Sequence, residues 1–255
     1  MFTTTPIQNI NKFKLIYYDI YNLFIYSYNS YIIIIKTIQY TSRLIYWHCM
    51  KNGKKGVALR LKNLEEPIDD FRVLLRYYGL VPLVQWIIHV ETNPPPSKLL
   101  LNINRMQNLV NVFYYPLEHA YWLGKHEVIP VSKERTVQLR EWACRLWAIY
   151  IILQFWNIWE EYKLLRQREN YVNSIEMTEP KTEEELRERR SLKKVKQQLE
   201  KEKLTILMNL IINTAYLPLT LSWSFKGLRI TDISEGALGL TAGICQFFTS
   251  WVATS

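Results

Sequence analysis

The chain has 255 residues, of which 49% are hydrophobic and only eight are glycine, and its formal net charge is +9 at neutral pH. Few glycines beside long apolar stretches favour an all-α fold over a turn-rich β-fold. The positive charge predicts a polyanionic partner, for which nucleic acid and an anionic lipid surface compete. Seventeen tyrosines and nine tryptophans favour the lipid surface, because amphipathic aromatic rings concentrate where membrane meets water.

The first 35 residues have an unusual composition. From Ile10 to Lys36, 22 of 27 positions are Ile, Tyr, Asn, Lys or Phe, amino acids that share AT-rich codons. Two interpretations remain open. The segment is either a gene-model artefact, such as a mis-drawn gene start or a retained intron, or an interfacial or membrane-spanning anchor, since Ile20 to Ile35 carries no charge. We therefore separate an atypical leader, residues 1–35, from a single membrane domain, residues 36–255.

Residues 36–64 are the most basic part of the chain. They contain no acidic residue, and apolar residues recur at helical spacing on both sides of a Gly-Lys-Lys-Gly turn, Gly53 to Gly56. A basic amphipathic helix with aromatic residues is typical of segments that lie on an anionic membrane. The alternative is a solvated basic face on an ordinary helix. The candidate membrane-binding residues are Lys36, Arg43, Lys51, Lys54, Lys55, Arg60 and Lys62.

Two helical regions, residues 36–90 and 99–159, are predicted before residue 160. The basic amphipathic helices continue to residue 90, with a helix from Ile68 to Val90 that Pro82 kinks or splits. Three prolines at 94–96 then break the chain, and residues 99–159 form central helices. The first of these, Leu99 to Leu123, is bent at Pro116 and carries a regular apolar stripe, read either as a core face or as a surface inserted into lipid. The stripe consists of Ile103, Met106, Val110, Phe113, Leu117 and Ala120.

The last hundred residues divide by charge. Residues 160–203 are strongly charged with nearly balanced signs and predict a solvent-exposed helical hairpin. Leu204 to Phe225 is uncharged for 22 residues, which is long enough to cross about 30 Å of hydrocarbon. A second uncharged stretch, Gly236 to Ser255, follows a short polar connection. Residues 204–255 therefore predict a hydrophobic membrane hairpin, in which Gly239 and Gly243 form a G-x-x-x-G helix-packing motif.

Motifs for catalysis or metal binding are missing from the sequence. The four histidines form no cluster with metal-ligand spacing, and no nucleophile elbow, phosphate-binding glycine loop or dinucleotide fingerprint occurs. Glu118 and His119 are adjacent, so their side chains point about 100° apart on a helix. The three widely spaced cysteines are predicted to be reduced packing residues. We predict a protein that is not an enzyme and needs no cofactor or metal.

Three sequence blocks carry a family resemblance. They are Thr37-Ile-Gln-Tyr-Thr-Ser-Arg-Leu44, then Asn104-Arg-Met-Gln with Phe113-Tyr-Tyr-Pro-Leu-Glu-His-Ala-Tyr-Trp122, and finally the segments 217–224 and 236–243. In this order and spacing they resemble the peroxisomal biogenesis factor 11 family, most closely its fungal members. The motif residues are Gln39, Tyr40, Ser42, Arg43, Tyr115, Pro116, Glu118, His119 and Trp122.

The resemblance implies a peroxisomal membrane protein with cytosolic termini, whose amphipathic helices curve and elongate the membrane and so promote peroxisome proliferation and fission. It also implies self-assembly into a homo-oligomer and contact with fission machinery and membrane-protein import factors. Anionic membrane lipids, and not nucleic acid, are the partners that charge and resemblance together favour. A channel for small metabolites is the alternative function. A polar stripe either lines such a pore or joins helices: Asn209, Asn213, Tyr216, Thr220 and Ser224.

Overall fold

The structure is a computed structural model, and it describes residues 31–177 and 183–254. These residues form seven α-helices, one short 3-10 helix at Arg76–Gly79 and no strand, which confirms the all-α prediction. Residues 1–30 of the leader lie outside the described part. The helices are α1 (31–51), α2 (Lys55–Leu75), α3 (Leu80–Thr92), α4 (Lys98–Lys125), α5 (Lys133–Met177), α6 (Glu183–Ser224) and α7 (Asp232–Thr254).

The helix boundaries follow local chemistry. Gly53 lies in the turn between α1 and α2 and has a φ of 73°, a conformation that glycine adopts without strain. After the three prolines, the Ser97 hydroxyl accepts a hydrogen bond from the Leu100 amide and caps α4. The predicted break near Pro82 falls earlier, in the 3-10 helix, where α2 and α3 are bent by 44°. Pro82 itself lies in the first turn of α3, where its missing N–H is not needed.

Helices α4 to α7 pack as antiparallel neighbours in chain order. Hydrogen bonds join α4 to α5 from Ser97–Glu160 at one end to Gln107–Gln154 further along, which fixes their opposite directions. Helix α3 packs on α4. The main apolar core lies between α5, α6 and α7. It contains Ile151, Ile212, Ala215, Tyr216, Leu219 and Ala242.

Helix α1 packs closely on α7 along the predicted glycine motif. A Cβ atom at Gly239 would overlap the Tyr40 ring, and one at Gly243 would lie 3.1 Å from the Thr37 hydroxyl. Only a residue without a side chain leaves room for these contacts, so Gly239 sets the distance between the two helices. The first helix is therefore part of the bundle.

The charged region 160–203 continues α5 and α6 beyond the bundle. Its interior is apolar, with Leu165, Val172 and Leu199 buried between the two helices. Ion pairs such as Arg168–Glu202 lie outside this small core. The predicted loop around residues 177–181 falls almost entirely outside the described residues. We name residues 160–177 and 183–203 the charged hairpin.

Among the described helices, one segment is long and apolar enough to cross a membrane by itself. It is Leu192–Ser224 of α6, and about a third of its most apolar window is buried inside the bundle. Helix α7 pairs with α6 as the predicted C-terminal hairpin, but it falls short of a span by the same test. Helices α2 and α3 pass it only together, as a bent pair.

Candidate membrane-binding site

The seven candidate membrane-binding cations separate into two groups. Five lie at the α1–α2 turn and on the first half of α2, and all five are exposed. The Lys51 ammonium lies over the Trp47 ring at 5.3 Å. None of the five makes an ion pair within the described part of the chain, so their charges are available to headgroups. They are Lys51, Lys54, Lys55, Arg60 and Lys62.

Lys36 and Arg43, the other two candidate membrane-binding cations, face into the bundle. The buried Lys36 ammonium donates hydrogen bonds to the Tyr216 hydroxyl and, at 2.7 Å, to the Gln246 side chain. Arg43 makes ion pairs with Glu65 and, at 2.5 Å, with Glu235. Both side chains are therefore occupied by groups of other helices and do not reach a headgroup in this arrangement.

The acidic residues of α2 are all on its second half, and each contacts α1 or α4. Glu65 pairs with Arg43, and Asp69 accepts a hydrogen bond from Gln39. Asp70 contacts Lys125 and His126 at 3.0 and 2.9 Å. These contacts compensate the negative charges inside the protein. The first half of α2 is consequently the more positive surface.

The apolar stripe of α2 faces outward. Val57, Leu64 and Phe71 recur every seven residues, and each is nearly half exposed at 48%, 45% and 47%. About 100° around the helix, Arg72 is buried at 7% exposure and lines, with Glu65, the cavity toward the other helices. A row of exposed large apolar side chains beside a buried arginine is not the pattern that water favours. Lipid favours it.

Buried polar side chains and exposed apolar ones also occur on α4 and α5. Gln107 of α4 is buried and donates a hydrogen bond of 2.6 Å to Gln154 of α5, and Asn157 of α5 makes one of the same length to Asn104. The outer faces of these helices expose large apolar side chains instead. They are Leu99, Met106, Leu109, Val112 and Phe113 of α4, and Trp142, Ile149, Ile152, Trp156 and Trp159 of α5.

The apolar stripe predicted on α4 is therefore divided between two surroundings. Ile103 and Val110 are buried, as a core face requires, but Met106 and Phe113 are 50% and 59% exposed. Gln107 and other polar residues of α4 are buried more deeply than these two apolar residues. The two interpretations of the stripe each describe part of it.

Several motif residues meet in a buried polar network around a cavity of about 700 Å³ between α1, α2, α4 and α5. Gln39 accepts a hydrogen bond from Arg72, and Arg76 makes an ion pair with Glu118 at 2.7 Å. Glu118 also accepts a hydrogen bond from Tyr114. The network holds the first two sequence blocks together.

The arginines of this network were missed in the sequence. Arg72 and Arg76 are four residues apart in an otherwise apolar stretch, so they lie on one helix face. That spacing was the available signal, because charges within an apolar segment are usually paired inside a protein.

The remaining motif residues lie on α1 and α4. Tyr40 and Ser42 are buried on α1. His119 stacks on Tyr77 with ring centroids 3.6 Å apart. The described residues contain no group of three or more His, Cys, Asp or Glu side chains placed to hold a metal. Tyr115 lies beside Gly79, Trp122 contacts His126, and Pro116 is exposed within the continuous α4.

The polar stripe of α6 faces the interior of the bundle. Asn213, Thr220 and Ser224 are buried, and each donates a hydrogen bond to a backbone carbonyl of its own helix. Tyr216 accepts the hydrogen bond from Lys36. Of these contacts, the one between Lys36 and Tyr216 joins two helices, as the helix-packing interpretation of the stripe expects.

Comparison with known proteins gives one family and one relative. The family of Peroxisomal biogenesis factor 11 (PEX11) matches residues 34–251, nearly the whole chain. An uncharacterized protein of Schizosaccharomyces pombe is 27% identical over 180 residues, which are 70% of each chain. No solved structure matches.

Proposed function

The chain belongs to the peroxisomal biogenesis factor 11 family, whose role is in peroxisome biogenesis at the peroxisomal membrane, and from this premise we propose that it curves and elongates that membrane. The inverted polarity of the bundle is the observation that supports this proposal most directly. Large apolar side chains cover the outer faces, and several polar side chains lie inside beside the apolar core, so lipid is the solvent that stabilises this surface. Helix α6 crosses the membrane, and the helices that pack beside it lie at the same depth.

In this proposal α2 inserts into one leaflet. Val57, Leu64 and Phe71 enter the acyl region, and removing apolar surface from water contributes about 25 cal/mol per Å². The five exposed cations stay at the headgroups, where each contributes roughly 1 kcal/mol near an anionic surface. A helix in one leaflet expands that leaflet relative to the other. Many copies therefore bend the membrane toward the side without the helix.

The side on which α2 inserts sets the sign of the curvature. Elongation of a tubule needs expansion of the cytosolic leaflet, so we propose that the α1–α2 turn is on the cytosolic side. Lys36 contacts Gln246 and Thr37 lies near Gly243, so residues 31 and 254 are both at the opposite end of the bundle. Cytosolic termini would place both ends of the bundle on the same side of the membrane as the turn. This requires the whole bundle to stay within the cytosolic leaflet. Protease accessibility of both ends in intact peroxisomes distinguishes the two arrangements.

Self-assembly is part of the same proposal. The exposed tryptophans Trp142, Trp156 and Trp159 give α5 an apolar face that a second copy can cover. The charged hairpin continues α6 at the end opposite the α1–α2 turn, so where α6 crosses the membrane the hairpin lies on the other side from the turn. Fission machinery or membrane-protein import factors then contact the protein on the side of the turn. A homo-oligomer concentrates the inserted helices and so increases the local curvature.

The test uses full-length protein reconstituted at increasing density into vesicles with and without anionic lipid. We expect tubules with anionic lipid, seen by electron microscopy. The triple substitution Lys54→Glu, Lys55→Glu and Arg60→Glu abolishes them, because it reverses the charge that faces the headgroups. The matched control reverses three exposed lysines of the charged hairpin, Lys193, Lys194 and Lys201, and keeps wild-type tubulation.

A second variant separates insertion from attraction. Val57→Ser, Leu64→Ser and Phe71→Ser keep the charge, so the protein remains in the membrane through α6 but tubulates less. Equal tubulation by both triple variants of α2 and by the wild type would overturn the proposal.

A further inference from the structure

A second cavity lies between α1, the 3-10 helix, α3 and α4, and it has a volume of about 400 Å³. Its wall is mainly apolar and includes Ile32, Leu83 and Trp86. Three cationic side chains, Lys36, Arg72 and Arg76, form the inner end. We name this space the cationic groove. It adjoins the larger polar cavity, with which it shares Arg72 and Arg76.

The positive charge at the inner end is only partly compensated by the protein. The described residues that line the groove include no carboxylate. Lys36 has neutral partners, Tyr216 and Gln246. Arg72 donates to the neutral Gln39 side chain, and of the three cations only Arg76 has a carboxylate partner, Glu118.

Two of these cations also retain donors that no described side chain uses. The Nε atoms of Arg72 and Arg76 are buried and have no hydrogen-bond partner among the described residues. Arg72 as a whole is 7% exposed. Unused donors on a buried charge are unfavourable unless another group satisfies them.

From this geometry we propose that the cationic groove binds an amphiphilic anion, a single acyl chain that carries a phosphate or carboxylate headgroup. The headgroup contacts Arg72, Arg76 and Lys36, since guanidinium groups bind both kinds of oxyanion through charge-assisted hydrogen bonds. The acyl chain lies along Ile32, Leu83 and Trp86. A small inorganic anion would leave this apolar wall uncovered, so the tail is part of the recognition.

The position of the groove gives such a ligand a route of entry. Trp86 is 51% exposed at the outer end, and the same helix exposes Val84 and Ile88 at 54% and 56%. These residues belong to the apolar surface that faces lipid in the proposed arrangement. Two sources share the ligand chemistry, namely an anionic phospholipid of the bilayer and a free fatty acid. The site itself does not depend on membrane curvature.

The test measures binding to the delipidated full-length protein in a non-ionic detergent. The probes are radiolabelled palmitate, 1-palmitoyl lysophosphatidate, 1-palmitoyl lysophosphatidylcholine and hexadecanol. We expect saturable binding of one or both anions at one site per chain, and much weaker binding of the zwitterion and the alcohol. Preference for palmitate assigns the site to fatty acids, and preference for lysophosphatidate assigns it to phospholipid.

Variants locate the site. Arg72→Gln lowers the affinity for the anions by about tenfold or more, the effect of losing hydrogen bonds to a charged group. Arg60→Gln, which removes an exposed charge from the same helix, leaves the affinity unchanged. Leu83→Trp fills the wall of the groove without touching a cation and lowers the affinity as well, which keeps the test informative where the arginine variant unfolds. Equal binding of hexadecanol and palmitate, no saturable binding of either anion, or unchanged affinity in Leu83→Trp would overturn the proposal.

Discussion

Helices α5 and α6 run through both the bundle and the charged hairpin, yet the outer faces of the two regions differ in polarity. In the hairpin, Leu165 and Val172 are buried and the charged side chains lie outside. In the bundle, Gln107 and Asn157 are buried while Ile152 and Trp156 are exposed. Along α5 the change occurs near Glu160. The buried face of α5 stays apolar through this level, at Ile151, Ile158, Leu165 and Val172, while its outer face changes from apolar to charged. In the proposed arrangement this is the level where lipid gives way to water.

The largest contrast concerns the buried ion pair of the bundle. We predict that Glu118→Ala destabilises the protein by about 3–5 kcal/mol, because Arg76 is left buried without a counter-charge. In the hairpin, Glu202→Ala removes an exposed partner of Arg168 and costs less than about 1 kcal/mol. Thermal unfolding of the full-length protein in detergent measures both. Similar losses in the two variants would remove the distinction between the regions.

The second contrast concerns exposed aromatic residues on α5. Trp156 in the bundle is 62% exposed, and Tyr171 in the hairpin is 68% exposed. We predict that Trp156→Lys costs about 2.5–3.5 kcal/mol of insertion free energy, because it places a charge in hydrocarbon. Tyr171→Lys is neutral in water. The measurement is the fraction of protein that resists alkaline extraction from membranes, and equal resistance of the two variants would contradict the assignment of solvents.

The sequence was sufficient to predict part of this arrangement. Few glycines, the helical spacing and the three sequence blocks predicted the helical class and the family. The positions of Lys36 and Arg43 could not be predicted, because their partners Gln246 and Glu235 are about two hundred residues away in the chain. Periodicity alone also could not assign Met106 and Gln107. It marks apolar faces without showing whether protein or lipid covers them.

Helix packing inside the bundle gives a smaller effect. We predict that Gly239→Ala destabilises the protein by about 1–3 kcal/mol, since the new methyl group overlaps the Tyr40 ring and forces α1 away from α7. Gly227→Ala is the matched control, because a Cβ atom there meets nothing within 4 Å. Unfolding in detergent again provides the readout. Equal stability of both variants would show that α1 does not pack on α7.

The smallest effect is a pH dependence in the hairpin. Burial raises the pKa of Glu161, and the charge of Glu202 raises it further. The folded protein therefore keeps this proton at pH values where the unfolded chain, with an ordinary pKa of about 4.3, has lost it. This contribution to stability is present below about pH 4 and is lost as the pH rises through the folded pKa.

Glu161→Gln should therefore raise the stability at neutral pH by less than about 1 kcal/mol and flatten its decline between acidic and neutral pH. Unfolding followed by circular dichroism across this range measures the slope. The exposed Glu200 is the control position, where the same exchange leaves the slope unchanged. A wild-type slope in Glu161→Gln would assign the pH dependence to another group.

Depth-dependent quenching tests the inverted polarity most directly. A single fluorescent label is placed at position 71, 113, 156 or 171 of a reconstituted variant whose three cysteines are replaced by alanine, with nitroxide quenchers on the acyl chains. We predict strong quenching at 71, 113 and 156 and none at 171. Labels at the first three positions that are quenched only by a water-soluble agent would contradict the account.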